Sequence, residues 1–336
     1  MGIPEMKLCV VGGLGFIGTK LLQRLDSAGV SYSVLDKRAT TGIFKNTMHL
    51  KGDVRRLEDI AEATKGCDTI INLAAEHRDD VRPRSLYDEV NVQGARNLCD
   101  AARRNGVKSI IFTSSVAVYG FAQPGTDENG AYNPFNDYGR TKMEAEKVYR
   151  RWLVEAPDQR TLTIIRPTVV FGERNRGNVY NLLHQIASSS FMMVGNGRNR
   201  KSMAYVENVA AFLEYALSFG AGEHLFNYVD KPDLQMNELV DKIRSVLGRK
   251  ATPRIKVPCW LGYLGGVVFD GVARITKQSF PISSIRIKKF CSETVFSSTK
   301  IVATGFHPPV SLLDGLRRTI RFEFLEKHDE QLFYTE

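Results

Sequence analysis

The sequence has few of the features that mark metal, disulfide or membrane-spanning proteins. Its five cysteines, at positions 9, 67, 99, 259 and 291, form no CxxC pair, which predicts reduced thiols in a cytosolic compartment. Its six histidines show no metal-ligand spacing such as HxxxH, so we predict no metal site. A zinc enzyme and a disulfide-stapled secreted domain are therefore not expected.

Long apolar runs are also absent. The first residues, MGIPEMKLCVVGG, contain only a short apolar run that soon meets glycine, which argues against a signal peptide. An apolar stretch from Trp260 to Phe269 is ten residues long, whereas about twenty are needed to span a bilayer. We therefore predict no transmembrane helix. With 336 residues, 43% hydrophobic and 25% charged, the chain can form one two-lobed domain or two modest ones.

Acidic residues are scarce in one region of the chain. The formal net charge is +9, and the stretch from Arg249 to Lys300 holds ten basic residues but only Asp270 and Glu293 as acids, a local charge of +8. The basic residues are those at positions 249, 250, 254, 256, 274, 277, 286, 288, 289 and 300. Such a field indicates an acidic partner, either phosphate or anionic lipid, or else a solvated basic face. We predict no nucleic-acid role, because no nucleic-acid-binding motif is present.

The first half of the sequence alternates apolar strands with helical patterns, which predicts parallel crossovers. The predicted strands are 6–11, 31–36, 68–75, 107–115 and 161–167, and the predicted helices are 15–29, 85–105 and 137–155. We therefore predict an α/β fold, a Rossmann-like doubly wound parallel sheet with a smaller, partly interleaved C-terminal substrate lobe. Residues 1–175 would form the first domain and 176–336 mainly the second, with about 203–230 returning to the first. Further helices are expected near 177–188, 206–218, 235–247 and 311–325.

A glycine-rich turn follows the first strand. Gly12, Gly15 and Gly18 lie in VVGGLGFIG, and Asp36 ends the second strand. Glycine permits the tight turn and a close approach to a pyrophosphate, and the helix N-terminus offers free N–H groups to it. A carboxylate at Asp36 suits a ribose hydroxyl and repels a 2′-phosphate, so NAD is favoured over NADP. Lys37 and Arg38 follow directly and leave the alternative open.

A phenol and an amine stand one helical turn apart in FNDYGRTK, downstream of the serine in FTSSVAVYG. Tyr138 and Lys142 share a helix face, and Ser115 ends the preceding strand. A free phenol is a poor base at neutral pH, and lowering its pKa by about three requires roughly 4 kcal/mol. We expect Lys142 to supply positive charge for this purpose.

Together these motifs resemble the extended short-chain dehydrogenase/reductase superfamily, across nearly the whole chain. GDVRR (52–56), NLAA (72–75), VNVQGARNL (90–98) and IRPTVVFG (165–172) complete the set. The resemblance implies an enzyme in which Tyr138 is the general acid–base, Ser115 holds the reacting oxygen, and Lys142 also bonds the nicotinamide ribose. It implies NAD contacts from Gly12, Gly15, Phe16, Ile17, Gly18, Asp36, Lys37, Asp53, Val54, Leu73, Ala74, Ala75, Tyr138, Lys142 and Thr168. Val116 and Ala117 replace the acidic residues of the dehydratases, so loss of water is not expected.

At the substrate end the usual nucleotide-binding arginines are replaced. Lys201 of KSMAYV stands in one arginine position, and SSIRIKKFCSETVF (283–296) replaces the second motif. IRPTVVFGERNRGNVYNLL and NYVDKPDL resemble the bacterial epimerases of O-antigen assembly, which convert GlcNAc to GalNAc on a diphospho-undecaprenol carrier. The resemblance implies a lipid-linked sugar diphosphate as substrate, with Glu76, His77, Ser115, Asn178 and Lys201 as contacts. A soluble UDP-GlcNAc or UDP-Glc 4-epimerase, a 4-keto-sugar reductase and a non-catalytic NAD-binding scaffold remain alternatives.

The segment 257–275 is open to two interpretations. Leu261, Leu264, Val268, Val272 and Ile275 form one apolar stripe, flanked by the basic residues and by interfacial aromatics. It is either a peripheral anchor on the anionic cytoplasmic face of the bacterial inner membrane or a core helix of the substrate lobe. The resemblance also implies a possible homodimer through the helices at 85–105 and 137–155.

Overall fold

A seven-stranded parallel sheet forms the centre of the protein. The structure is a computed structural model that describes residues 6–38, 47–78, 81–188, 191–249, 256–276, 283–328 and 332–333. The strands of the sheet are β1 (Leu8–Val11), β2 (Tyr32–Asp36), β3 (Thr47–Lys51), β4 (Thr69–Asn72), β5 (Ser109–Thr113), β6 (Thr161–Pro167) and, numbered in chain order, β10 (Gly222–Tyr228). Their spatial order is β10-β6-β5-β4-β1-β2-β3, and every neighbouring pair is parallel. Strands such as β1 and β6 are buried throughout, because helices cover both faces.

Helices cover the two faces of this sheet and enclose two apolar cores. One face is covered by α2 (Leu57–Ala63), α4 (Gly94–Asn105) and α5 (Asp137–Val154), and the other by α1 (Phe16–Ser27) and α7 (Val206–Tyr215). A short α3 (Ser85–Tyr87) and a wider turn over Asp88–Gln93 lead into α4, which confirms the helical path predicted for 85–105. The doubly wound fold predicted from the sequence is confirmed.

A smaller lobe follows β6. Its sheets are β7 (Val169–Phe171), β9 (Arg200–Tyr205) and β11 (Asp230–Gln235), in the order β11-β9-β7, and the pair β8 (Met193–Val194) and β12 (Lys256–Val257). Its helices are α6 (Asn178–Ala187), α8 (Met236–Val246), α9 (Cys259–Thr276), α10 (Ser284–Cys291), α11 (Thr299–Ala303) and α12 (Leu312–Phe324). Strand β10 nevertheless pairs with β6 in the main sheet, and α7 packs on α1.

Helix α9 packs on the lobe through glycine and leaves its apolar side chains outside. A Cβ on Gly266 would lie 2.6 Å from the backbone N of Ser284, and one on Gly262 would lie 2.8 Å from Val194 Cγ1. The side chains on the other faces are exposed: Trp260, Leu261, Tyr263, Leu264, Val267, Val268, Phe269 and Val272. We call this set the α9 apolar face. The described part of the chain contains no helix long and apolar enough to cross a membrane.

The structure corrects the prediction for two cysteines, and part of the predicted basic patch and apolar stripe lies outside the described residues. Cys259 and Cys291 form a disulfide between α9 and α10, so the expectation of five reduced thiols is wrong for this pair. The antiparallel packing of the two helices brings the sulfurs together, which a separation of 32 residues does not reveal. Lys250, Arg254 and Lys277, and the side chains of Arg274 and Ile275, belong to the predicted basic patch or apolar stripe but lie outside the described residues.

Candidate active site

The glycine turn between β1 and α1 forms the floor of a cleft at the carboxyl edge of the sheet. Gly12 has φ of +77°, and a Cβ there would lie 2.7 Å from the backbone N of Ala74. A Cβ on Gly18 would lie 2.3 Å from the Gly13 carbonyl oxygen, so the turn and α1 can approach only without side chains. Gly15 precedes α1 and has no side chain to cap it, which leaves the first N–H groups of α1 for an anion.

Asp36 ends β2 beside this turn. Its carboxylate accepts hydrogen bonds from the backbone N–H groups of Leu14 and Arg38, both at 3.0 Å, and Arg38 Nε approaches it to 3.3 Å. The carboxylate therefore braces the glycine turn and holds Arg38 nearby. Lys37 lies farther out, with its Nζ 3.7 Å from Asp53 Oδ2 and 3.9 Å from Glu76 Oε1.

The remaining residues predicted for the cofactor lie along the same edge. Asn97 Nδ2 donates to the Val54 carbonyl oxygen at 2.9 Å, which fixes the loop that follows β3. The Leu73 N–H donates to the Val11 carbonyl oxygen, so the pairing of β4 with β1 continues as far as Leu73, just before Ala74 and Ala75. Thr168 is buried, and both its N–H and its hydroxyl donate to the Tyr228 carbonyl oxygen. Phe16 and Ile17 open α1.

Ser115 and Tyr138 meet at the centre of the cleft. Ser115 Oγ accepts a hydrogen bond from the Ala117 N–H at 3.1 Å and caps a short helical turn, Val116–Tyr119. Tyr138 lies on α5, whose N-cap Asn136 accepts from the Gly139 N–H. A Cβ on Gly139 would lie 2.5 Å from the Ala117 carbonyl oxygen, so glycine lets α5 approach this turn. The Ser115 side chain lies next to the phenol of Tyr138.

Lys142 lies below the phenol in an apolar setting. Its Nζ donates to the Thr113 carbonyl oxygen at 2.7 Å and lies 4.7 Å from the Phe112 ring centroid and 5.9 Å from that of Tyr138. Burial lowers the pKa of Lys142 to about 7 and raises the pKa of Tyr138 to about 12, although the neighbouring Ser115 hydroxyl favours the phenolate. Within the protein alone desolvation dominates at the phenol, and the charge expected from Lys142 stays a prediction.

A buried ion pair lies behind these residues, and the sequence prediction missed it. Glu146 and Arg166 are both buried, with Nη2 and Oε2 2.6 Å apart. Ser114 Oγ and Tyr132 Oη donate to Glu146, and Tyr119 Oη accepts from Arg166. Although burial alone would raise the pKa of Glu146, the Arg166 hydrogen bonds and charge hold it below its ordinary value. A charged residue closing the buried run TLTIIRP was the available signal, because a buried arginine requires a partner.

The predicted substrate contacts are not all in one place. His77 Nδ1 lies 3.4 Å from the Ala75 carbonyl oxygen. Desolvation is the main cause of the lowered pKa of His77, and the Lys142 charge acts in the same direction. Glu76 instead faces Lys37. Asn178 is exposed at the first position of α6.

Lys201 is used by the protein itself. Its Nζ donates to the carbonyl oxygens of Lys289 and Ser292, at 2.8 and 2.6 Å, and so caps the C-terminal end of α10. Burial lowers the pKa of Lys201 to about 8. The structure thus gives this lysine a positioning contact, while a direct phosphate contact stays a prediction.

The helix held by Lys201 carries a second feature that sequence reasoning did not single out. Lys288 Nζ lies 4.6 Å from the Phe121 ring centroid, and Lys289 Nζ lies 4.7 Å from that of Phe135. The two rings are stacked, with their centroids 5.0 Å apart. Phe121 follows Ser115 by a few residues, and Phe135 precedes Tyr138 by a few residues. This lysine–phenylalanine cluster connects the substrate lobe to the catalytic domain. The sequence signal for it was the adjacent pair of lysines in the basic segment.

Comparison with known proteins agrees with this geometry. The model of the NAD dependent epimerase/dehydratase family matches residues 8–228. The chain belongs to this family. It is 50% identical, over 97% of its length and 98% of the relative's, to the N-acetyl-alpha-D-glucosaminyl-diphospho-ditrans,octacis-undecaprenol 4-epimerase of Escherichia coli O157:H7. It is 28% identical to the UDP-glucose 4-epimerase of Vibrio cholerae, over 93% and 94% of the two chains.

A solved structure of the family supports the fold. The UDP-glucuronic acid 4-epimerase of Bacillus cereus, crystallised with NAD, superposes with a TM-score of 0.74 at 19% identity, covering 94% of this chain and 98% of that one. The predicted superfamily and the predicted NAD cofactor are confirmed. The cleft fits NAD, because the turn without side chains at Gly12 and Gly15 leads into the uncapped N-terminus of α1, whose N–H groups can receive a pyrophosphate. Asp36 stands where a ribose hydroxyl would bind.

Proposed function

We propose that the protein is a 4-epimerase that interconverts GlcNAc and GalNAc on an undecaprenyl-diphosphate carrier through a transient 4-keto sugar. The observation that carries this proposal is the 50% identity, across almost both full lengths, to a 4-epimerase named for that lipid-linked substrate. The chain also has the required acid–base group, Tyr138, with the Ser115 side chain next to its phenol.

Held at the glycine turn and Asp36, NAD would supply the acceptor and donor for the C4 hydride and the positive charge of its oxidised ring. Tyr138 removes the proton of the C4 hydroxyl and later returns it to the same oxygen, while the configuration changes because the hydride comes back to the other face of C4. Ser115 Oγ, held by the Ala117 N–H, orients the reacting oxygen. Lys142 is anchored on the Thr113 carbonyl oxygen, below the phenol, where it can bond the nicotinamide ribose and favour the phenolate.

The residues that follow Ser115 support epimerisation over dehydration. Val116 and Ala117 form the first turn after the serine, and neither side chain can transfer a proton. Eliminating water from the sugar requires an acid and a base beyond the phenol. A proton taken and returned at one oxygen requires only Tyr138.

The lysine–phenylalanine cluster supports a diphosphate substrate. Lys288 and Lys289 place two ammonium groups over the rings of Phe121 and Phe135, in the part of the chain between Ser115 and Tyr138, and their positive charge would attract a phosphate. Lys201 holds the end of their helix. Lysines bind phosphate as point charges rather than through a bidentate fork.

The α9 apolar face supports attachment to an anionic membrane surface, at the cytoplasmic side of the inner membrane. Trp260 and Val268 are about two-thirds exposed, at 66% and 65%, and α10 beside them is basic. Burying such side chains contributes roughly 25 cal/mol per Å² of apolar area, and each nearby basic residue adds about 1 kcal/mol at an anionic surface. We expect flotation with liposomes containing anionic lipid, weakened by Trp260→Ser with Val268→Ser. Flotation equal for both proteins, or absent for the native chain, would leave α9 without this role.

One assay tests the substrate. Purified protein with NAD is offered GlcNAc-diphospho-undecaprenol and UDP-GlcNAc in parallel. We expect conversion of the lipid-linked sugar with no net absorbance change at 340 nm, because each hydride is returned. Turnover of UDP-GlcNAc alone would favour the soluble epimerase, and stoichiometric oxidation of NADH would indicate a 4-keto-sugar reductase. A homodimer through α4 and α5 remains a prediction for light scattering.

A further inference from the structure

Phe333, near the end of the sequence, packs against the cofactor end of the main domain. Its ring lies 6.0 Å from that of Phe16, the first residue of α1, and it is only 7% exposed. The guanidinium carbons of Arg38 and Arg174 lie 5.9 and 5.2 Å from its centroid. The ring contacts one aromatic side chain and two cations, and Phe16 and Arg38 lie 317 and 295 residues away along the chain, which indicates a specific contact.

The backbone of Phe333 is also held by hydrogen bonds. Phe333 N–H donates to the Arg174 carbonyl oxygen at 2.8 Å, and its own carbonyl accepts from the Arg176 N–H at 2.7 Å. Glu323 of α12, whose side chain is fully buried, accepts from the Arg174 N–H at 2.7 Å and pairs with Arg176. Phe333 thus forms one isolated β-bridge with Asn175, in the loop that follows β7.

The loop that pairs with Phe333 contains a residue with a strained backbone. Arg174 has φ of +74°, a conformation that costs a non-glycine residue roughly 1–2 kcal/mol. The surrounding structure holds it there with the Glu323 carboxylate and the two backbone bonds to Phe333. Such strain is common where a segment is fitted to a ligand site.

The side chains under Phe333 belong to the NAD cleft. Arg38 is bonded to Asp36 through both its N–H and its Nε, and a Cβ on Gly15 would lie 3.8 Å from Arg38 Nη2. Arg38 therefore lies between the Phe333 ring on one side and Asp36 with the glycine turn on the other. This end of the cleft is where the adenosine ribose would lie against Asp36.

We propose that Phe333 acts as a strap that retains NAD, by holding Arg38 and Phe16 over the adenosine end of the cleft. An epimerase returns the hydride that it takes, so loss of the cofactor between the two transfers would stop the reaction. The inference rests on NAD binding and goes beyond the proposed sugar substrate.

The test measures NAD retention without any sugar. NAD-loaded Phe333→Ala and native protein are diluted, and release of the nucleotide is followed by chromatography or by a chase with labelled NAD. We expect Phe333→Ala to release NAD about tenfold faster. Phe333→Tyr, which keeps the ring, should remain close to the native chain. Leu325→Ala, at a half-exposed residue just past α12, is the control for an ordinary apolar truncation in this region.

Equal release from Phe333→Ala and Leu325→Ala would overturn the strap. If Phe333→Ala fails to fold, hydrogen exchange of the native chain decides the question. NAD should slow exchange of the Phe333 and Arg176 amides, which are bonded across the strap. Unchanged exchange at both amides on NAD binding would overturn the proposal.

Discussion

Replacing Lys142 by methionine should stabilise the protein while removing its activity. The side chain is 2% exposed, and burial lowers its pKa from 10.5 to about 7. Holding an ammonium group in that environment disfavours the charged form by on the order of 5 kcal/mol. Methionine has a similar length and no charge. It leaves the Thr113 carbonyl oxygen without its donor, which costs about 1–3 kcal/mol. We expect Lys142→Met to raise the free energy of unfolding by about 2–3 kcal/mol at pH 6.5.

The pH dependence gives the prediction its sign. Because the pKa of Lys142 is lower in the folded chain, the unfolded chain binds more protons between pH 7 and 10.5. Native stability therefore rises with pH across that window, and the penalty is full below about pH 7. Methionine does not titrate. The advantage of Lys142→Met should be greatest at pH 6.5 and should shrink steadily towards pH 10.

The assay is urea unfolding at pH 6.5, 8 and 9.5, followed by circular dichroism, with epimerisation measured in parallel. Lys147→Met is the matched control, since Lys147 lies on the same helix but is 48% exposed and paired with Glu144 at 2.8 Å. It should change stability by less than about 0.5 kcal/mol at any pH. A variant Lys142→Met less stable than the native chain at pH 6.5, or with an advantage that does not fall by pH 9.5, would refute the reasoning.

Three further variants examine the site. Tyr138→Phe should keep the fold and bound NAD but lower epimerisation of the lipid-linked sugar at least about 100-fold, whereas unchanged turnover would point to a scaffold. Arg166→Met removes the closer cation of the buried Glu146 carboxylate and leaves it the Arg150 guanidinium at 3.3 Å, and should cost about 3–5 kcal/mol in urea unfolding; a loss below about 1 kcal/mol would contradict a buried pair. Replacing Lys288 and Lys289 by alanine should raise KM for the lipid-linked substrate with little change in kcat, and the opposite split would argue against binding.

The sequence predicted the half of the molecule whose local signals agree with its tertiary structure. Buried parallel strands appear as apolar runs, and glycines at 12, 15 and 18 mark a turn that tolerates no side chain. The Tyr138–Lys142 spacing fixes a helix face whatever surrounds it. These features are local, so they could be predicted with their positions. Only β3 was overlooked in the main sheet, because its residues, TMHLK, include few typical strand formers.

The substrate lobe was less predictable, because its arrangement depends on distant contacts. The sequence left 257–275 as either an anchor or a core helix, since an apolar stripe is compatible with both. Gly262 and Gly266 decide its orientation by close packing on Val194 and Ser284. Lys201 was predicted to bind phosphate. Its strand lies next to the C-terminal end of α10, however, and its Nζ donates to two carbonyl oxygens there. The desolvation of the phenol could not be predicted from the sequence, because it depends on the whole fold.

The disulfide, the Asp270 contact and the lysine–phenylalanine cluster together connect the α9 apolar face to the catalytic cleft. Cys259 joins Cys291, and Asp270 Oδ2 accepts from both the N–H and the hydroxyl of Ser284, so α9 and α10 are held as one unit. That unit contacts the main domain at Phe121 and Phe135, on either side of the Ser115–Tyr138 pair in the sequence. If α9 lies on a bilayer, a polyprenol entering beside it would bring its diphosphate to α10 and its sugar to the phenol. A soluble nucleotide sugar would use none of the α9 apolar face, so a membrane-bound substrate explains more of this structure.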